Sequence, residues 1–174
     1  AKRSRRLAEL VNEYGEDENL IGAVEVVADG VTFRVVNALV LAQSDVFRGM
    51  LTNSLREAAQ RRIELPDVSA DCWRALYAYL RSGEVRVESS TAVEVLQAAH
   101  MYELAPLADA VARRIADACD EGECDNATLL ELHGLARQLQ CWKLAASAAR
   151  GLIADFPATE KASAAAAAGP RSGG

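Results

Sequence analysis

The residues able to do chemistry are few: four cysteines and two histidines in 174 residues. Cys119 and Cys124 flank Gly122, and His133 comes one or two helical turns later. Zinc is held by four such donors in structural sites, and no second closely spaced pair completes this set, so neither a metal nor a cofactor is expected. Cys72 and Cys141 stand beside Trp73 and Trp142 on apolar helical faces, the ordinary setting of a buried thiol. His100, between Ala99 and Met101, reads as a packed or half-exposed helical side chain rather than a base. There is no G-x-S-x-G elbow and no glycine-rich phosphate loop. Glu94 and Glu131 read as capping or helix-surface groups. The expectation is no catalytic residue and no enzyme; a redox- or metal-responsive domain built on the cysteines is the one chemical alternative.

What the chain does display is a constellation suited to binding. In Ser44–Val68, SDVFRGMLTNSLREAAQRRIELPDV, Ser44 caps a helix and Asp45 suits its positive N-terminal end. Val46, Phe47, Met50 and Leu51 recur at helical spacing. Thr52-Asn53-Ser54 interrupts that pattern, because short polar side chains compete for backbone hydrogen bonds. Leu55-Arg56-Glu57 then precedes Arg62-Ile63-Glu64-Leu65, an alternating strand stopped by Pro66. An apolar side chain and a carboxylate on an exposed connector predict a contact surface, drawn from Met50, Leu51, Leu55 and Glu57.

Composition bounds the partners. The chain is 51% hydrophobic, 25% charged and only 5% aromatic, which predicts helices packed through small residues. A net charge of -6 argues against nucleic acid, whose binding needs clustered Lys and Arg. No apolar run reaches a membrane span, and no secretory segment comes after the basic AKRSRR start. Reduced thiols in the cytoplasm or nucleus are therefore expected. The absence of an initiator Met reads as a piece of something longer.

The contact stretch must be positioned by the elements around it. Leu7, Leu10, Val11 and Tyr14 share one face of an N-terminal helix. Val24–Val27 and Val31–Val35 form a hairpin about Asp29-Gly30. Asn37 caps a buried helix, ALVLAQ. Ser69 opens a helix with Cys72, Trp73, Leu76, Tyr77 and Leu80 on one stripe, ended by Ser82-Gly83. Glu84–Val87 alternates as a short strand, and Thr91 with Glu94 makes a capping box. Pro106 begins a helix carrying Leu107, Val111 and Ile115. Helices from Asp125 or Asn126 to Leu139 and from Trp142 to Phe156 close the chain, the last stopped by Pro157. The order predicts an α+β fold, a small mixed sheet capped by helices.

Several segments in this order resemble the BTB/POZ domain: VTFRVVNALVLAQSDVFRGML, RRIELPDVSADCWRALYAYLRSGEV and VLQAAHMYELAPL, together covering residues 20–118. The resemblance implies a dimerisation helix in residues 1–19 and a helical 3-box or BACK-like extension in 119–156, while residues 157–174, with an Ala run and GPRSGG, have no core-forming pattern and read as a disordered tail. It implies a protein–protein interaction module, a dimeric substrate adaptor for a third-class cullin in a RING-type ubiquitin ligase. Such members carry a hydrophobic-x-Glu motif where this chain has Leu55-Arg56-Glu57. The cullin surface implied is Met50, Leu51, Leu55, Glu57 and Arg81, and the homodimer surface is Leu7, Leu10, Val11 and Leu39. Arg81 replaces a Tyr that touches the cullin in some adaptors. Ala23, Val36 and Asn37 stand where transcription-factor members have Asp, His and a basic residue lining a pocket. The substrate protein would be read by regions not in this chain. The alternative is a homo-oligomerisation domain of a transcriptional or scaffold protein without ligase contact.

Overall fold

The computed structural model describes residue 20, residues 22–52 and residues 56–167. These residues divide into two compact units, with the boundary at Val111 and Ala112.

The first unit is built on a three-stranded sheet of order β2-β1-β3. β1 (Val24–Ala28) and β2 (Val31–Val35) pair antiparallel, and β1 pairs in parallel with β3 (Arg62–Leu65). The turn is the expected one: Asp29 and Gly30 sit at φ 50° and 71°, the left-handed pair that matches the twist of a two-residue hairpin. The pleat does the sorting. Val24, Val26 and Ala28 point inward, and Ile63 and Leu65 join them from β3, while Glu25 and Glu64 face outward.

Between β2 and β3 come three helical pieces: a 3-10 segment (Ala38–Gln43), α1 (Asp45–Thr52) and α2 (Arg56–Gln60). The ALVLAQ run, expected as a helix, winds as the tighter 3-10 form. The exposed connection expected before β3 is itself partly helical, since Arg56–Gln60 forms α2.

α3 (Ala70–Ser82) comes after β3. Ser69 Oγ accepts from Cys72 N at 3.1 Å, and Gly83 ends the helix at φ 70° with its N–H on Tyr79 O. Both caps are the expected ones. The strand expected at Glu84–Val87 does not form: this segment has no regular structure and pairs with no strand of the three-stranded sheet. The expected Thr91–Glu94 capping box is also absent, because Glu94 reaches elsewhere. Its carboxylate accepts from Ser69 N at 2.6 Å and Ser69 Oγ at 2.7 Å. α4 (Ala92–Met101) thereby clamps the start of α3.

The core of this unit centres on an aromatic cluster. Phe47 stacks on Tyr102 at 4.5 Å and meets Trp73 edge-on at 5.9 Å; Trp73 in turn stacks on Tyr77 at 5.9 Å. Such pairs add stabilisation beyond the area they bury. Leu41, Leu51, Ile63, Leu76 and Leu96 are fully buried in the same unit.

α5 (Ala105–Asp120) leads into the second unit, which contains α6 (Asn126–Gln138) and α7 (Trp142–Ala167). Asp125 caps α6 by accepting from Thr128 N at 2.8 Å, and its hydrogen bonds with Thr128, the side chain first and the backbone N–H second, hold its carboxyl below the usual range. α6 and α7 approach so closely that a Cβ at Gly151 would sit 2.8 Å from Leu129 Cδ1. α7 does not stop at Pro157 as expected but continues to Ala167. The missing proline N–H and the ring clash are tolerated there, and the alanine-rich sequence beyond favours helix. The disordered tail expected from residue 157 is thus helical as far as Ala167; the remaining seven residues lie outside the described ones.

Candidate partner-binding surface

α1 carries the expected contact residues, and one buried hydroxyl fixes it. Ser44 Oγ accepts from Phe47 N at 3.2 Å, capping α1, and donates to Tyr102 O at 2.6 Å just past the end of α4. Ser44 is 0% exposed, so both bonds form in a low-dielectric setting where loss of either leaves a polar group stranded. Phe47 and Leu51 are the inward residues of the helix. Leu51, expected on the contact surface, is therefore a core residue: it lies one turn from Phe47 on the same face. Met50 is half-buried, and so is Val46.

Glu57 lies on α2 and is half-buried. It lines a small cleft of about 60 Å³ with Gln60, Arg62 and Glu64. Arg62 bridges Glu64 at 3.2 Å and Glu25 at 3.5 Å. The cleft thus presents mixed charge, rather than an isolated carboxylate. Arg61, which precedes Arg62 in the chain, is held at φ 48°. The Arg61 guanidinium donates to Ala23 O at 2.9 Å, and its own carbonyl accepts from Glu25 N at 2.9 Å. The chain leaving α2 is in this way bolted to the start of β1.

Arg81 is exposed in the last turn of α3. Gln43 Nε2 donates to Leu80 O at 2.6 Å and to Val40 O at 3.1 Å, tying the 3-10 segment to that helix end. Leu39 sits in the 3-10 segment, and its side chain is not among the described ones. Leu7, Leu10, Val11 and Leu55 lie outside the described residues. Val36 is exposed and Ala23 is half-buried.

The long-range hydrogen bonds of Ser44 with Tyr102, Gln43 with Leu80, Arg61 with Ala23 and Glu94 with Ser69 escape sequence reasoning. They join residues 25 to 58 positions apart, and no periodicity encodes such pairings. A positive φ at Arg61 likewise has no signal in a residue type that rarely adopts it.

Titration tracks burial. Cys72 is pushed up to about 12 by desolvation first and the Glu94 carboxylate second. Tyr102 is also raised, by burial and then by Asp67. Trp142, expected beside a buried thiol, is 64% exposed, and Cys141 is half-buried. Its position immediately after the α6–α7 turn explains this, since it opens a helix rather than facing one. No helix among the described residues is long and apolar enough to cross a membrane.

The chain is similar in sequence to known proteins. The profile of the BTB/POZ domain matches residues 12–117. Kelch repeat and BTB domain-containing protein 4 of Homo sapiens is 31% identical over 121 residues, covering 70% of this chain and 23% of that protein. Kelch-like protein 21 of Danio rerio is 28% identical over 130 residues, covering 75% of this chain and 20% of that protein. The BTB domain of human gigaxonin, a solved structure, is 24% identical with a TM-score of 0.46, covering 62% of this chain and 87% of that one. The chain spans less than a quarter of the length of these curated relatives.

Proposed function

The chain belongs to the BTB/POZ family, and from that premise we propose that it is a dimeric adaptor which docks a third-class cullin through the α1–α2 segment. The observation that carries this reading is the arrangement of that segment. Phe47 and Leu51 anchor α1 from within, while the half-buried Met50 and Glu57 keep part of their surface accessible on consecutive helices. Leu55 lies between them in sequence and supplies the apolar group of the hydrophobic-x-Glu motif. Its burial against a partner groove would supply most of the affinity, with Glu57 and Arg62 setting orientation through charge. Arg81 is a further contact, and as a cation in place of an aromatic ring it shifts selectivity toward an acidic spot on the partner. In this reading Leu7, Leu10, Val11 and Leu39 cover one another across a two-fold axis. Residues 119–156 act as the 3-box-like extension, and the substrate is recognised by other parts of a longer protein.

The test is co-purification with the N-terminal domain of a third-class cullin. The double substitution Leu55→Asp with Glu57→Ala is expected to abolish capture while leaving the circular dichroism spectrum unchanged. Undiminished capture refutes the docking mode. The rival reading, an oligomerisation module without ligase contact, is favoured by Arg81 standing exposed where some adaptors have an aromatic contact. It predicts a dimer by light scattering and no capture by the cullin even in the unmodified chain.

A further inference from the structure

The second unit holds a pair of thiols that the binding reading leaves unused. α5 ends in a Schellman turn: Glu123 N donates to Ala118 O at 3.0 Å and Gly122 N to Cys119 O at 3.2 Å, with Gly122 left-handed at φ 77°. That reversal carries Cys124 back over the last turn of the helix. Its Sγ comes to rest 3.7 Å from Cys119 Sγ. The two thiols form part of the wall of a cavity of about 440 Å³, completed by Leu129, Arg150 and Gly151. Asp120, also in the wall, is engaged by Ser147 Oγ at 3.1 Å and by Arg150 at 2.9 Å. The space beside the sulfurs is therefore bounded by side chains already tied to one another.

We propose that Cys119 and Cys124 are a dithiol site oxidised to an intramolecular disulfide by a small hydroperoxide that enters this cavity. Cys124, half-buried, meets the oxidant first. Its sulfur attacks the O–O bond, an S–O bond forms, and the departing alkoxide or hydroxide takes up the thiol proton as alcohol or water. Cys119 Sγ then displaces hydroxide from the sulfenic sulfur; the S–O bond breaks, the S–S bond forms, and the Cys119 proton leaves with hydroxide as water. Two thiols and one hydroperoxide thus give one disulfide, one alcohol or water, and one water. The order of events is set by burial: Cys119 is 3% exposed, and desolvation together with its hydrogen bond to Cys124 pushes its thiol up to about 12. It is a poor first nucleophile and a well-placed second one. Cys72 is fully buried in the other unit, and Cys141 donates to Leu139 O within its own turn.

The site is tested on the full chain with hydrogen peroxide as probe, then alkylation and tryptic digestion. Cys119 and Cys124 share the peptide running from Ile115 to Arg137, apart from Cys72 and Cys141. That peptide is expected to lose two hydrogens and to resist alkylation at both positions, with full reversal by a dithiol reductant. Cleavage after Glu121 or Glu123 should leave its halves joined until reduction. In the Cys119→Ser variant the reaction should stop at a Cys124 sulfenic acid trapped by dimedone, and the Cys124→Ser variant should form no bridge. Alkylation of both thiols after peroxide, a sulfinic acid at Cys124 with Cys119 still alkylatable, or a bridge to Cys141 or a second chain each overturns the proposal.

Discussion

Removing the Ser44 hydroxyl should destabilise the first unit by about 2–4 kcal/mol, because two losses add. Loss of the cap on Phe47 N removes one helix N-terminal bond, worth about 1 kcal/mol. The carbonyl of Tyr102 loses its 2.6 Å donor, and a buried acceptor left unpaired costs about 1–3 kcal/mol. In Ser44→Ala no water replaces the hydroxyl easily, since the residue is 0% exposed. Urea unfolding monitored by circular dichroism should register a midpoint lowered by about 1.5 M, taking a slope of about 2 kcal/mol per molar for a domain of this size. Ser44→Asp separates the two contributions. Aspartate caps as well as serine does, but an ionised carboxylate has no proton to give Tyr102 O and would face that carbonyl with like charge. Ser44→Asp should therefore be no more stable than Ser44→Ala. If aspartate restores the wild-type midpoint, or if alanine costs under about 0.5 kcal/mol, the tie between α1 and α4 contributes nothing and the reasoning fails.

The same geometry yields three further outcomes. Glu94→Ala should cost about 2–3 kcal/mol, since two hydrogen bonds from Ser69 to a carboxylate are lost together; Thr91→Ala, at the other end of the expected box, should be near neutral in the same melt. Gln140 ends α6 in the left-handed region at φ 58°, so Gln140→Gly should raise the melting temperature, relieving about 1 kcal/mol of backbone strain. Cys72 and Cys119 are both raised from 9.0 to about 12, and a raised acid binds its proton more tightly when folded. Their contribution is complete below pH 9 and is lost as pH climbs from 9 toward 12, each fully shifted thiol contributing at most about 1.4 kcal/mol per pH unit. Urea midpoints at pH 8, 9 and 10 should fall in that order; a flat series contradicts the assigned burial.

Much of this architecture is legible in local chemistry. Asp29-Gly30, Ser69, Gly83 and Asp125 each declare a turn or a cap through what their own atoms can reach, and each does what its type predicts. Misreadings arise where the deciding partner is distant. Glu94 looks like the end of a capping box because its neighbour Thr91 is three residues away, yet it serves Ser69, 25 residues away. Glu84–Val87 alternates like a strand but has no ladder beside it. Leu51 satisfies the spacing of both a contact residue and a core residue, and only packing against the sheet unit chooses the core. Pro157 fails as a stop because a helix end depends on the residues beyond the breaker as much as on the breaker itself, and here those residues are alanine-rich.

The placement of the two indoles has a practical corollary. Trp73 is 0% exposed inside the first unit, and Trp142 is 64% exposed in the second. Their emission should differ in colour and in access to a quencher such as acrylamide, the former blue and shielded, the latter red and open. Replacing Trp142 with Phe leaves a lone fluorophore that reports on the sheet-bearing unit, while Trp73→Phe leaves one that reports on the helical unit. The molecule carries its own pair of lamps, and whether its halves melt together or in turn can be seen by light alone.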